Sequence, residues 1–104
     1  MNMRSSIQTI KTELQDNAAI EICARQCSVI GDPTKLKICY LLRRHPELSV
    51  TEIAELVGSS VSNISHSLSK LRAAQLVTSR KAARTVYYSL EANAFFGVLQ
   101  VIGG

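Results

Sequence analysis

The sequence lacks the marks of membrane and secreted proteins. Its 104 residues include no tryptophan, 5% aromatic residues and three cysteines, and an odd number of cysteines does not suit the paired disulfide framework of a small secreted domain. No stretch approaches the roughly 20 apolar residues of a membrane helix, and the start, Met1 to Gln8, has no apolar segment typical of a signal peptide. We therefore expect a cytoplasmic protein with reduced thiols and no membrane association.

The sequence also lacks motifs for catalysis. It has no Cys/His pair at catalytic spacing, no glycine-rich phosphate loop and no carboxylate pair arranged for acid–base chemistry. We therefore do not expect an enzyme. A chain of this length buries only about two thirds of its unfolded surface, and it has few aromatic side chains to enlarge a core, so we expect association into a homodimer.

Acidic residues are missing from one long window of the chain. The formal net charge is +4, yet no Asp or Glu lies between Glu55 and Glu91. Five basic residues fall in this acid-free window: Lys70, Arg72, Arg80, Lys81 and Arg84. Because a cation that neutralises a phosphate releases condensed counterions, such a surface attracts a polyanion. A solvated face that lacks acids by chance is the alternative.

Apolar spacing predicts helices through the first half of the chain. Residues 1–16 are expected to form an arm or short helix, and residues 17–104 one domain. Within that domain, a helix over 17–30 presents an apolar stripe of Ile20, Cys23, Cys27 and Ile30. Asp32 and Pro33 have the residue types of a helix start, and this next helix is expected to stop near residues 43–46.

Two short helices are predicted on either side of Gly58. Ser49 and Glu52 have the spacing of a capping box, which opens a helix to about Val57. After Gly58, Ser59 and Ser60 restart a helix with the apolar stripe Val61, Ile64, Leu68 and Leu71. Its remaining positions are small or polar and include no acid: Ser62, Asn63, Ser65, His66, Ser67, Ser69 and Lys70. Such a face suits close approach to hydrogen-bonding edges.

An extended, basic segment follows these helices. Residues 77–81 and 84–89 predict a two-stranded hairpin with basic residues around its tip. Because no Gly, Asn or Asp stands between the strands, a tight two-residue turn would be strained and a longer loop is expected. A last apolar segment, 94–102, is expected to pack against another subunit.

This order of elements predicts a mainly α fold with a small β-hairpin, a dimeric winged helix-turn-helix. A helix about 10 Å wide fits the major groove of duplex DNA. The candidate base contacts lie in the first half of that helix: Ser59, Ser60, Ser62, Asn63, Ser65 and His66. The candidates for contact with phosphates or with a flanking minor groove are Lys70, Arg80, Lys81 and Arg84. A winged-helix protein interaction module without DNA binding is the alternative, and it would tolerate salt.

Residues 17–102 resemble the ArsR/SmtB family of bacterial and archaeal metalloregulatory repressors. The resemblance is carried by an ordered series of segments: DPTKLKI (32–38), LSVTEIA (48–54), SNISHSL (62–68), LR (71–72) and VYYSL (86–90). It implies a homodimer, with the first and last helices at the interface, that represses transcription at a palindromic double-stranded operator. It also implies release from DNA when an inducer binds.

The metal-binding motifs of that family are missing. Metal-sensing members carry a Cys-x-Cys pair where this sequence has Ser49 and Thr51, and a hydroxyl is a poor ligand for soft metals. Other members use Asp and His of the last helix, where the nearest matches are Ala92 and Ala94. Neither inducer site is therefore expected here.

The cysteines offer another candidate site for an inducer. Cys23 and Cys27 are one helical turn apart, and Cys39 belongs to the next predicted helix. Three converging thiolates would suit a thiophilic metal or As(III), and a thiol pair could respond to oxidants. Plain core packing competes with this hypothesis, because free cysteine is among the most buried residue types.

Overall fold

Helices make up most of the described residues, and a small antiparallel sheet completes the fold. The computed structural model describes residues 7–12 and 18–95. Its elements, in chain order, are α1 (7–12), α2 (Ala18–Ile30), α3 (Pro33–Arg44), β1 (Leu48–Ser49), α4 (Val50–Val57), α5 (Val61–Ala73), β2 (Val77–Ala82) and β3 (Thr85–Leu90). The predicted fold class, mainly α with a small β-hairpin, is confirmed, with one strand more than expected.

The predicted start and end of α3 are confirmed. Asp32 caps the helix by accepting a hydrogen bond of 3.1 Å from the Lys35 backbone N–H. Pro33 occupies the first turn, where a missing N–H costs nothing. Arg43 and Arg44 lie in the last turn, where positive charge is favourable at the negative end of the helix dipole.

The predicted capping box also forms. The Glu52 N–H donates to Ser49 Oγ over 3.2 Å, and the Ser49 N–H donates to Glu52 Oε1 over 2.9 Å. The hydrogen bond that the Ser49 N–H donates to the Glu52 carboxylate is the main reason why the pKa of this carboxyl lies below its usual value. Gly58 ends α4 with φ of 77°, a left-handed conformation that glycine adopts without strain. This turn sets the angle between α4 and α5.

One core joins α3, α4, α5 and the sheet. Its fully buried members include Ile38 of α3, Ile53 of α4 and the α5 residues Ile64, Leu68 and Leu71. Burying each such side chain stabilises the fold by about 1.5–3 kcal/mol. Because α5 is held along one whole face, its other face has a fixed direction relative to the rest of the domain.

The buried stripe of α5 differs from the prediction at two positions. Ser67, expected on the exposed face, is 8% exposed, and Val61, expected in the buried stripe, is 46% exposed. Ser67 completes the helical spacing of Ile64, Leu68 and Leu71, so it faces the core. Val61 lies in the first turn at the edge of that stripe.

The predicted apolar stripe of α2 is wrong at Cys27. Cys27 is exposed, whereas Gln26 and Val29 are buried. Gln26 Nε2 donates a hydrogen bond of 3.3 Å to the carbonyl of Ala74, the C-cap of α5. A polar residue therefore faces inward because the end of α5 offers it an acceptor, and the neighbouring cysteine turns outward. The side chains of Cys23 and Ile30 lie outside the description.

The sheet has the strand order β1-β3-β2. The sequence analysis missed β1, whose Leu48 and Ser49 pair with Tyr88 and Tyr87 of β3. Two consecutive residues carry no periodic signal, so only their partner strand identifies them.

The hairpin between β2 and β3 is tighter than predicted. Ala82 pairs with Thr85, which leaves a two-residue loop, and Ala83 takes the positive φ of 57°. The expected longer loop is therefore wrong. A left-handed alanine costs about 1–2 kcal/mol, and the register that continues to Val77 and Leu90 offsets this cost.

Two predictions concern the ends of the chain, an N-terminal arm or short helix and a last apolar segment that packs against another subunit. Residues 7–12 are helical with Ile7 and Ile10 exposed. The last apolar segment falls mostly on residues 96–102, outside the described residues, although Ala94 and Phe95 pack against the core. Within residues 7–12 and 18–95, no helix combines the length and apolar character needed to cross a membrane.

Candidate nucleic-acid interface

The outward face of α5 and the turn before it hold seven of the predicted site residues. Ser60, Ser62, Asn63, His66 and Lys70 are exposed, and Ser59 and Ser65 are half-buried. All lie in the turn before α5 or on the helix itself, and none is acidic. The face is uncharged except for Lys70 near its C-terminal end.

Ser59 and Ser60 fix the position of Asn63. The Asn63 N–H donates to Ser60 Oγ over 3.1 Å, which makes Ser60 the N-cap of α5. Asn63 Nδ2 donates to Ser59 Oγ over 2.8 Å. The Asn63 amide keeps its oxygen and its second N–H for another partner, and an asparagine amide offers the donor and acceptor pair that matches the edge of adenine.

The wing, defined as the β2–β3 hairpin of residues 77–90, carries three of the predicted basic residues. Arg80, Lys81 and Arg84 are all exposed. Lys81 and Arg84 form no ion pair with any residue in the described part of the chain. Their charges are available to an anion, together with that of Lys70.

Arg80 differs, because its guanidinium is already occupied. Arg80 Nη2 lies 2.8 Å from Glu47 Oε1, and Nε contacts the other carboxylate oxygen. The guanidinium carbon lies 5.0 Å from the centre of the Tyr87 ring. The hydrogen bonds from Arg80 hold the pKa of the Glu47 carboxyl below its usual value. The Glu47 carboxylate, which lies outside the acid-free window in the sequence, thus neutralises one of the positive charges of that window.

The described cysteines lie in different environments. Cys27 is exposed and Cys39 is buried, and burial raises the pKa of the Cys39 thiol to about 11. The Cys39 thiol therefore stays protonated at neutral pH, which makes it a poor nucleophile and metal ligand. Among the described residues, no group of three or more His, Cys, Asp or Glu side chains could hold a metal ion.

The residues at the family's two metal positions do not fit a metal either. Ser49, which stands at the first position of the Cys-x-Cys pair, uses its hydroxyl as the N-cap of α4. Thr51 is exposed on the first turn of the same helix. At the other site, Ala92 and Ala94 offer no ligand atom in their side chains.

Helix, tight turn, helix and basic hairpin together define a winged helix-turn-helix domain of the DNA-binding type. Residues 32–79, which run from the cap of α3 into β2, match the family model described as bacterial regulatory protein, ArsR family. The chain is 38% identical over 101 residues to nodulation protein NolR of Rhizobium meliloti, covering 97% of this chain and 78% of NolR.

Two further relatives agree with that match. A transcriptional repressor SmtB homolog of Synechocystis is 33% identical over 87 residues, which cover 84% of this chain and 65% of the relative. The homodimeric winged helix-turn-helix DNA-binding domain of a possible ArsR-family regulator from Mycobacterium bovis superposes with a TM-score of 0.69. Its identity is 27%, over 83% of this chain and 82% of that domain.

The chain belongs to the ArsR family of bacterial regulatory proteins. The predicted family and the predicted class, a winged-helix DNA-binding regulator of transcription rather than an enzyme, are both confirmed. Sequence reasoning missed Glu47 as a partner of Arg80, Ser67 as a core residue and Val61 as an exposed residue at the start of α5.

Proposed function

We propose that this protein is a homodimeric, cytoplasmic transcriptional repressor that binds a double-stranded operator and leaves it when an inducer binds. The observation that carries the proposal is the exposed, acid-free face of α5, held in place by the buried Ile64, Leu68 and Leu71. A helix presented in this way fits the major groove, where side chains of its first half reach base edges.

The base contacts are assigned to Asn63, Ser62, His66 and Ser65, with Ser59 and Ser60 beside them. Asn63 is the best placed for a specific contact, because two serine hydroxyls hold its backbone and its amide. Lys70, Lys81 and Arg84 are assigned to phosphates, which fix the register without reading sequence. Arg80 was predicted as a further contact of this kind, but its guanidinium is paired with Glu47.

Val61 is an additional candidate for base contact. It is the first residue of α5 and is exposed, between the cap Ser60 and Ser62. An apolar group at the groove-facing end of a recognition helix matches the C5 methyl group of thymine. We therefore add Val61 to the predicted set as an apolar contact.

The homodimer is supported by the homodimeric relative from Mycobacterium bovis. We assign residues 1–16, of which 7–12 are helical, to an N-terminal arm or short helix, and residues 17–104 to the DNA-binding domain, with its terminal helices at the interface between subunits. Two copies of α5 would then reach successive major grooves, about 34–36 Å apart on a palindromic operator.

The proposed inducer is a thiophilic metal, As(III) or a thiol-reactive species. Such an inducer needs an accessible thiol, and Cys27 supplies one among the described side chains. Cys39 is better suited to packing, since its pKa of about 11 keeps it protonated. Cys23 remains a candidate partner of Cys27, one helical turn away.

The test is a gel shift with duplex DNA from upstream of the protein's own gene, against a scrambled duplex. We expect Asn63→Ala to lose about 1–3 kcal/mol of discrimination between the two duplexes, because it removes the paired donor and acceptor. Ser69→Ala, an exposed substitution on the same helix outside the assigned contacts, is the matched control and should bind as wild type.

Two outcomes of this gel shift would contradict the proposal. Equal discrimination by Asn63→Ala and wild type would remove α5 as the reading helix. Failure of the wild type to bind duplex DNA at low salt would favour the protein interaction module instead. Repeating the shift with Cd(II), As(III) and an oxidant, on wild type and on Cys27→Ser, shows whether a thiol mediates release.

A further inference from the structure

We propose that Arg80 is a positioning residue that braces the wing through Glu47, and that it does not bind a DNA phosphate. This inference rests on the proposed function, since it divides the wing's cations into those that touch DNA and one that orients the hairpin. In the sequence Arg80, Lys81 and Arg84 are alike, and only the pairing with Glu47 sets Arg80 apart.

The geometry of the sheet makes Arg80 a brace across all three strands. Arg80 of β2 is directly opposite Tyr87 of β3, and Tyr87 is directly opposite Ser49 of β1. Glu47 immediately precedes β1, and its carboxylate accepts hydrogen bonds from the Arg80 guanidinium. Arg80 passes over the Tyr87 ring and reaches the Glu47 carboxylate on the far side of β3.

The bonds of the Arg80–Glu47 pair distinguish it from an ordinary surface ion pair. Exposed pairs usually contribute little, but this one uses two parallel donors of the guanidinium, Nε and Nη2, on the two carboxylate oxygens. The aromatic face of Tyr87 supports the same cation. To reach a phosphate, Arg80 would have to leave both partners at once.

The brace ties the wing to the segment between α3 and α4. Glu47 immediately precedes Leu48 of β1, which is buried in the core next to the cap of α4. The wing is therefore attached at its base to the unit that also orients α5. Lys81 projects from the other face of β2, and Arg84 lies in the loop, so these two cations keep their charge for phosphates.

The experiment measures the salt dependence of binding to the upstream duplex for single variants. The slope of log K against log salt is negative, and each lost phosphate contact reduces its magnitude by about 1. We expect Lys81→Ala and Arg84→Ala to reduce the magnitude of the slope by that amount and Arg80→Ala to leave it unchanged. Glu47→Gln should increase the magnitude by about 1, because it frees Arg80 for a phosphate.

A conservative variant adds a second readout. Arg80→Lys keeps the charge but lacks the planar fork that matches the Glu47 carboxylate. At fixed salt, we expect Arg80→Lys and Arg80→Ala to bind the duplex with the same affinity. Circular dichroism should show that both variants are folded. The Arg80 Nε–H resonance of the wild type should also keep its position when DNA is added, while that of Arg84 moves.

These outcomes separate the inference from the proposed function. If Arg80→Ala reduces the magnitude of the slope as Lys81→Ala does, or if Glu47→Gln leaves it unchanged, the positioning role of Arg80 is wrong while DNA binding stands. If the Arg80 resonance moves with that of Arg84, the brace is again wrong. If wild type shows no salt-dependent binding to duplex DNA, the proposed function itself fails.

Discussion

The helix α5 and the wing expose candidate DNA contacts, but different forces hold them in place. Ile64, Leu68 and Leu71 anchor α5 and are fully buried, so the direction of its outer face depends on packing. In β2, the buried residue is Val77 at its base, and the positions toward the tip are half-buried or exposed. The wing depends on strand pairing and on the Glu47–Arg80 pair, so salt should loosen its position more than that of α5.

The two regions also differ in chemistry. The outer face of α5 offers hydroxyl, amide and imidazole groups, whereas the wing offers Lys81 and Arg84. Neutral groups with defined geometry suit base edges, and mobile charges suit phosphates. Neutral contacts on a helix held by packing, beside charged ones on a hairpin held by strand pairing and one ion pair, fit the proposed division into reading and positioning roles.

The largest expected effect in this comparison is on stability. Leu68→Ala removes a fully buried side chain of α5 and should lower the free energy of unfolding by about 2–5 kcal/mol. Val86→Ala, at a half-buried position of the wing, should cost clearly less. Urea unfolding followed by circular dichroism measures both. Equal losses would contradict the view that packing holds α5 more strongly than the wing.

A smaller effect is expected at the N-cap of α5. Ser60→Ala removes the hydroxyl that accepts from the Asn63 N–H and should cost about 1 kcal/mol. Ser62→Ala, at an exposed position two residues later, should change stability by less than about 0.5 kcal/mol. Thermal unfolding of the two variants tests this. If both variants matched the wild type, the cap would not contribute to holding α5.

The smallest effect is expected at the tip of the wing. Ala83 has φ of 57°, where a side chain is strained, so Ala83→Gly relieves that strain. Glycine also gives the unfolded chain more freedom, and we expect a net stabilisation of about 0.5 kcal/mol. Thermal unfolding of Ala83→Gly beside Ala82→Gly, whose position pairs with Thr85 in the sheet, is the measurement. Destabilisation by Ala83→Gly would show that the loop is not strained.

Local signals in the sequence predicted the parts of the fold that local chemistry decides. The capping box of Ser49 and Glu52 and the break at Gly58 need only residues within one turn of each other. The face of α2 could not be predicted in this way. Gln26 faces inward because a carbonyl at Ala74, 48 residues away, accepts its hydrogen bond. The apolar character of Cys27 did not decide its burial.

The candidate site likewise has a part that the sequence predicts and a part that only the tertiary structure shows. Sequence alone identified the acid-free, hydroxyl-rich face of α5. Its helical spacing and the N-cap before it can be read from neighbouring residues, and the resemblance depends on the order of several segments along the chain. Tertiary structure alone decided that Glu47 neutralises Arg80, since strand pairing brings together residues 33 positions apart. Charge counted along the chain cannot detect such a partner, because electrostatic attraction depends on distance in space.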